Sequence, residues 1–113
     1  MLYTSIDDFF EKASSCRKLP REEEIYLAEA MYNGDASARE QLIRSYIPMV
    51  AGHIKRCSPH MQTLRLVYTC LRSLEKAVDS FNFLQTSETF THRLSWWLRQ
   101  AVTEYIAGQS EGI

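Results

Sequence analysis

Apolar side chains return every three to four residues along this chain, in stretches separated by short polar breaks, and that rhythm predicts helices. Ile6, Phe9, Phe10 and Ala13 form the first stripe, and Ser5 followed by Asp8 has the spacing of a capping box. After the break "SSCRKLP", Pro20 is expected in the first turn of a second helix, with Ile25, Ala28 and Tyr32 on one face and Gly34 as its terminator. Glu22, Glu23 and Glu24 then read as a solvated helix start that complements the dipole. Asp35 is a candidate N-cap for a third helix carrying Ile43, Ile47, Val50 and Ile54, kinked where Pro48 removes a donor. Leu64, Val67, Tyr68, Leu71, Leu74, Val78 and Phe81 give the strongest helical period, "NFLQTSET" reads as a loop, and "FTHRLSWWLRQAVTEYIA" is a last helix expected to stop at Gly108. The expected fold is all-α: a compact bundle of about five helices.

Two unlike faces appear when the last helix is drawn at ~100° per residue. Leu94, Trp97, Leu98, Ala101, Val102 and Tyr105 form the expected core seam, and His92, Trp96, Arg99, Gln100 and Thr103 fall opposite. An indole among polar groups is costly surface unless something stacks on it, and bases stack well on indoles. Gln and Thr on the same face can contact a base edge or a phosphate. A Trp lying flat over a neighbouring helix explains the same pattern, so both readings stand at this level.

Composition narrows the field. The 113 residues suffice for one domain, and four Gly and three Pro are too few for many short strands. A formal charge of −1 excludes a protein that wraps DNA by bulk positive charge, so any nucleic-acid footprint must be local. Residues 1–50 carry six Lys or Arg against nine Asp or Glu, and residues 51–113 carry seven against five, which puts the positive half second. Cys16, Cys57 and Cys70 form no CxxC pair, and no apolar run spans a bilayer, which suits a reduced cytoplasmic protein. His53, Cys57 and His60 have a loose metal-ligand spacing, with no fourth ligand and with Pro59 inside it, so no metal is expected. Glu75 and Asp79, beside Lys76 and Arg72, read as ordinary solvated charge. No phosphate loop, nucleophile pair or cofactor motif is present, so neither an enzyme nor a small-molecule binder is expected.

The stretch "SWWLRQAVTEYIA" resembles the end of region two of the bacterial sigma-70 family, whose usual form is F-S-T-Y-A-x-W-W-I-R-Q-A-I. "LEKAVDSFN" and "LPREEEIYLAEAMYNGDASAREQLIRSYIPMV" are similar to neighbouring family stretches. The likeness covers most of residues 19–107, leaving 1–18 as an N-terminal helix and link and 108–113 as a tail. It implies a helical domain that docks on the clamp helices of RNA polymerase core and opens promoter DNA at the minus-ten element. It further implies that Trp96 and Trp97 abut the melted, single-stranded edge and that Gln100 and Thr103 read the last upstream base pairs. Arg99, with His92 and Arg93, completes the expected DNA face.

Several positions depart from the family's pattern. Arg93 stands where the family has the base-stacking tyrosine, and Glu104 where it has an arginine. Tyr46 and Pro48 replace an Asn and an Arg. The clamp-binding D-L-I-Q-E appears as Arg65, Leu66, Val67, Tyr68 and Thr69. Arg65, Tyr68, Thr69 and Arg72 are the expected polymerase or partner contacts, with Arg65 reversing a charge. The expected function is a sigma-like initiation module. The alternative is an interaction module that kept the fold and regulates polymerase or a sigma-related partner without melting DNA. A chain ending at Ile113 is also expected to lack the helix-turn-helix that reads the upstream promoter element, and so to work with a second polypeptide.

Overall fold

The structure, a computed structural model, describes residues 2–111, with side chains to residue 109. Those residues form six α-helices: α1 (Ile6–Ser14), α2 (Arg21–Tyr32), α3 (Ala36–Ser45), α4 (Ile47–Lys55), α5 (Leu64–Ser80) and α6 (Phe90–Glu111), with a 3₁₀ turn at Pro59–Met61. No strand occurs among them, so the fold is the expected all-α bundle. The most extensive packing joins α5 to α6 and α2 to α3, while α1 lies against α4 and α5. Phe9, Leu42, Ile54, Leu66, Leu74 and Leu98 are fully enclosed at the centre.

Helix ends follow their capping chemistry. Ser5 Oγ accepts the Asp8 N–H at 3.0 Å, and the Asp8 carboxylate reaches back to the Thr4 N–H, also at 3.0 Å. That backbone donor holds the Asp8 carboxyl below its ordinary pKa. At the end of α2, Gly34 adopts φ 95°, and the Gly34 and Asp35 N–H groups return to the carbonyls of Met31 and Ala30, as in a Schellman motif. Asp35 then caps α3 through the Ala38 N–H at 3.1 Å, and Thr63 caps α5 through the Leu66 N–H at 3.2 Å.

Some expectations need correction. The third predicted helix is two, because Tyr46 leaves helical geometry at φ −103°, ψ 0° and the chain restarts at Ile47. Pro48 therefore sits in a first turn, where its missing donor is not needed, rather than kinking a continuous helix. Ile43, Ile47, Val50 and Ile54 still face the core. Pro20 is the residue before α2, not in its first turn. The buried face of α2 is Glu24, Leu27 and Ala28, whereas Tyr32 is about half exposed, its hydroxyl donating to the Phe81 carbonyl and accepting the Phe83 N–H. Gly108 does not end the last helix: α6 continues to Glu111, and the Gln109 side-chain amide donates to the Tyr105 hydroxyl at 2.9 Å.

Glu24 is not part of a solvated acid run. It is buried, accepts a hydrogen bond from the Tyr46 hydroxyl, and pairs with Arg21 at 2.8 Å. Arg21 also donates to the Phe83 carbonyl at 3.0 Å, so one carboxylate links α2, the α3–α4 joint and the loop before α6. Burial and the Glu24 contact push the Tyr46 phenol well above its usual pKa, which keeps it a donor. Asp79 likewise has a specific partner: Arg39 bridges to it through two bonds of 2.7 and 2.8 Å, fastening α3 to α5.

Candidate nucleic-acid interface

α6 begins where Thr89 Oγ1 accepts the His92 N–H at 3.1 Å, and its first residue, Phe90, is locked in an aromatic cluster. Phe83 stacks on Phe90 with centroids 4.9 Å apart, and Phe81 and Tyr46 meet it edge-on at 5.2 and 4.6 Å. The loop before α6 is thus anchored by an enclosed Phe83, and the start of the helix is held against both α5 and the Glu24 network. Leu94, Leu98, Ala101 and Tyr105 turn inward. His92, Arg93, Arg99, Gln100, Thr103 and Glu104 are exposed.

The two tryptophans divide the alternatives left open by the helical wheel. Trp97 is half-buried and packs on the core, whereas Trp96 stays 45% exposed, its ring perpendicular to that of Trp97 at 5.4 Å. Both border a groove of about 530 Å³ between α6 and the end of α5, with Phe81, Asn82, Glu88 and Arg93. Arg93 is not a free guanidinium: it pairs with Glu88 at 2.9 Å across that groove. About two turns beyond the tryptophans, Thr103 donates to the Arg99 carbonyl at 3.0 Å, so its hydroxyl keeps only acceptor capacity for a ligand.

Two neighbours of this face escaped the sequence reading. His53 and Arg56, at the end of α4, lie close enough to Arg99 for its charge to act on the imidazole. Burial first, and then Arg56 and Arg99, hold the His53 pKa below its ordinary value. Burial and these two charges thus favour the neutral form of His53. His53 and Arg56 are spaced i,i+3 on their own helix, but nothing in the sequence links them to Arg99.

The four expected partner contacts do not form one patch. Arg65, Thr69 and Arg72 share a polar groove of about 350 Å³ with Ser73, Lys76 and Glu104. Tyr68 turns to the other side of α5, where its hydroxyl accepts the Tyr3 N–H at 2.9 Å and its ring borders a groove of mixed lining with Ile43, Ile47, Leu71 and Glu75. Arg72 borders both.

No three of the His, Cys, Asp and Glu side chains converge to hold a metal among the described residues. Cys57 donates to the His53 carbonyl at 3.6 Å, and His60 lies exposed on the 3₁₀ turn. Burial raises the Cys70 thiol to about 12, which keeps it protonated and unreactive. No helix among the described residues is long and apolar enough to cross a membrane.

No family model matches the chain. The chain spans about 30% of the length of one of the curated relatives it matches. That relative is the RNA polymerase sigma factor SigA of Clostridium acetobutylicum, 35% identical over 114 aligned positions that take in 96% of this chain. Over nearly its whole length, then, this helical domain is similar in sequence to part of a bacterial sigma factor.

Proposed function

We propose that this chain is a sigma-70 family domain of the region-two type, which engages RNA polymerase and recognises promoter minus-ten DNA through the outer face of α6. The observation that carries the proposal is Trp96: a large aromatic ring left 45% exposed at the rim of a groove, on a helix that turns Leu94, Leu98, Ala101 and Tyr105 inward and leaves Ile106 exposed further along. An exposed indole offers a base a stacking platform, and Arg99, Gln100 and Thr103 supply donors and acceptors for the adjoining base pairs and phosphates. Arg99 itself puts positive charge within that row, the local footprint that a chain of net charge −1 requires. The role is non-enzymatic: binding energy holds bases out of the stack, which offsets a few kcal/mol of unstacking per step.

Because the chain carries a net charge of −1, free DNA is bound weakly at physiological salt, and polymerase supplies the missing affinity by tethering. The test is Trp fluorescence during titration with a single strand carrying TATAAT, with and without polymerase core. A quench that depends on both the sequence and the core supports the proposal. A response blind to sequence in the presence of core removes it.

The alternative, an interaction module that regulates polymerase or a sigma partner without melting DNA, is favoured by one feature. Glu88 and Arg93 neutralise each other inside the groove that a flipped base would enter. The same titration separates the two, because this alternative predicts binding to core with no DNA-dependent quench.

A further inference from the structure

We infer that Glu88 and Arg93 are a base-reading pair selective for one unpaired guanine in the bound strand, an assignment that rests on the reading of α6 as a promoter-binding face. The loop before α6 fixes Glu88 in place. Its N–H is accepted by the Gln85 side-chain oxygen at 3.0 Å, and its carbonyl takes the Gln85 amide N–H at 2.7 Å. Ser87 Oγ donates to the same Gln85 oxygen at 2.7 Å, which steadies that clamp. From this position the Glu88 carboxylate meets Arg93, one turn into α6, at 2.9 Å.

The groove's other polar groups are largely spent on the protein itself. Gln85 and Ser87 are engaged as described, Ser80 Oγ donates to the Ala77 carbonyl at 3.3 Å, and the Asn82 side-chain oxygen accepts the Leu84 N–H at 3.0 Å. Among the described residues, spare capacity lies on the second Glu88 oxygen and the remaining Arg93 N–H groups. A bare carboxylate on a nucleic-acid face repels phosphates, and the Arg93 guanidinium cancels that repulsion. What the pair presents is an acceptor fork beside a donor, since a carboxylate only accepts and a guanidinium only donates. Guanine answers it fully. Its ring N–H and its 2-amino group are adjacent donors for Glu88, and its O6 acceptor, next to them, meets Arg93. Thymine has one N–H between two carbonyls, so a carbonyl faces the carboxylate. Adenine and cytosine set an acceptor nitrogen beside the amino group and give Glu88 one bond instead of two. Trp96, 45% exposed at the rim of the same groove, supplies the stacking plane.

The test reads Trp fluorescence of the full chain bound to polymerase core, titrated with a single strand carrying TATAAT and with variants that place guanine at each position in turn. At one position guanine should bind at least about tenfold more tightly than the parent base. Inosine, which lacks the 2-amino donor, should lose most of that gain, and Glu88→Gln should bring the ratio of guanine to parent to within about twofold of unity. The inosine comparison uses the unaltered protein, so it stands whatever Glu88→Gln does to the loop. No guanine variant tighter than the parent strand, or inosine equal to guanine, overturns the inference while promoter recognition by α6 stands. Quenching by deoxyguanosine monophosphate as strong as by the strand assigns the guanine to a free nucleotide and also overturns it. A response blind to sequence in every strand overturns it together with promoter recognition.

Discussion

Tyr46→Phe deletes one hydroxyl while keeping the ring that meets Phe90 edge-on at 4.6 Å. The lost bond joins a half-buried phenol to a buried carboxylate, and Glu24 keeps Arg21 at 2.8 Å as its remaining partner. Hydrogen bonds to charged groups contribute about 1.5–3 kcal/mol, so a loss of about 2 kcal/mol is expected. At about 2.1 cal/mol/K per residue over 113 residues, the unfolding entropy is about 0.24 kcal/mol/K, and the melting temperature should drop by about 8 °C. Calorimetry of the parent, Tyr46→Phe, Glu24→Gln and the double variant gives the coupling between the two side chains, expected to be at least about 1 kcal/mol. Melting of Tyr46→Phe within about 2 °C of the parent, with additive single effects, would refute the idea that this network fixes the joint between α3, α4 and the start of α6.

Trp96→Ala should leave the fold intact, because the ring is half exposed, while weakening oligonucleotide binding in the polymerase complex by about 1–3 kcal/mol. Leu98→Ala, at an enclosed position on the opposite side of α6, should instead cost about 2–5 kcal/mol of stability by chemical denaturation. Arg39 holds the Asp79 carboxyl below its ordinary pKa, so the pair's contribution is present above about pH 4 and fades as pH falls through the lowered value. With both side chains partly exposed, Asp79→Asn should cost only about 0.2–1 kcal/mol at pH 7, and urea midpoints of parent and variant should converge as the pH falls well below the ordinary carboxylate range. His53 takes up its proton less readily folded than unfolded, so stability should decline as pH drops through about 6.5, and His53→Gln should flatten that decline in a melting series.

Local chemistry was readable without coordinates. Ser5, Asp35 and Gly34 act as their residue types dictate, and the two faces of α6 followed from its period alone, down to the difference between Trp96 and Trp97. What escaped was tertiary. A glutamate in a first turn looks the same whether solvated or buried, and the partner that buries Glu24 lies 22 residues away at Tyr46. Gly108 is a stop signal that long-range packing overrides, since a mid-helix glycine costs only about 1 kcal/mol and α6 is braced by its packing on α5. The pairing of Arg93, expected on the DNA face, was not legible because Glu88, its partner, sits in a loop whose course no periodicity describes. Arg65 and Tyr68, three residues apart on one helix, were read as a single contact surface, yet the flanking helices give each its own groove.

The sharpest test of promoter recognition by α6 is affinity for a forked duplex, measured in complex with polymerase core, with the upstream minus-ten base pairs either intact or scrambled. If Gln100 and Thr103 read those pairs, the intact fork binds more tightly by about 1–3 kcal/mol per altered pair, and Q100A/T103A loses most of that preference while still binding core. Equal affinity for intact and scrambled forks, unchanged in the double variant, would contradict it.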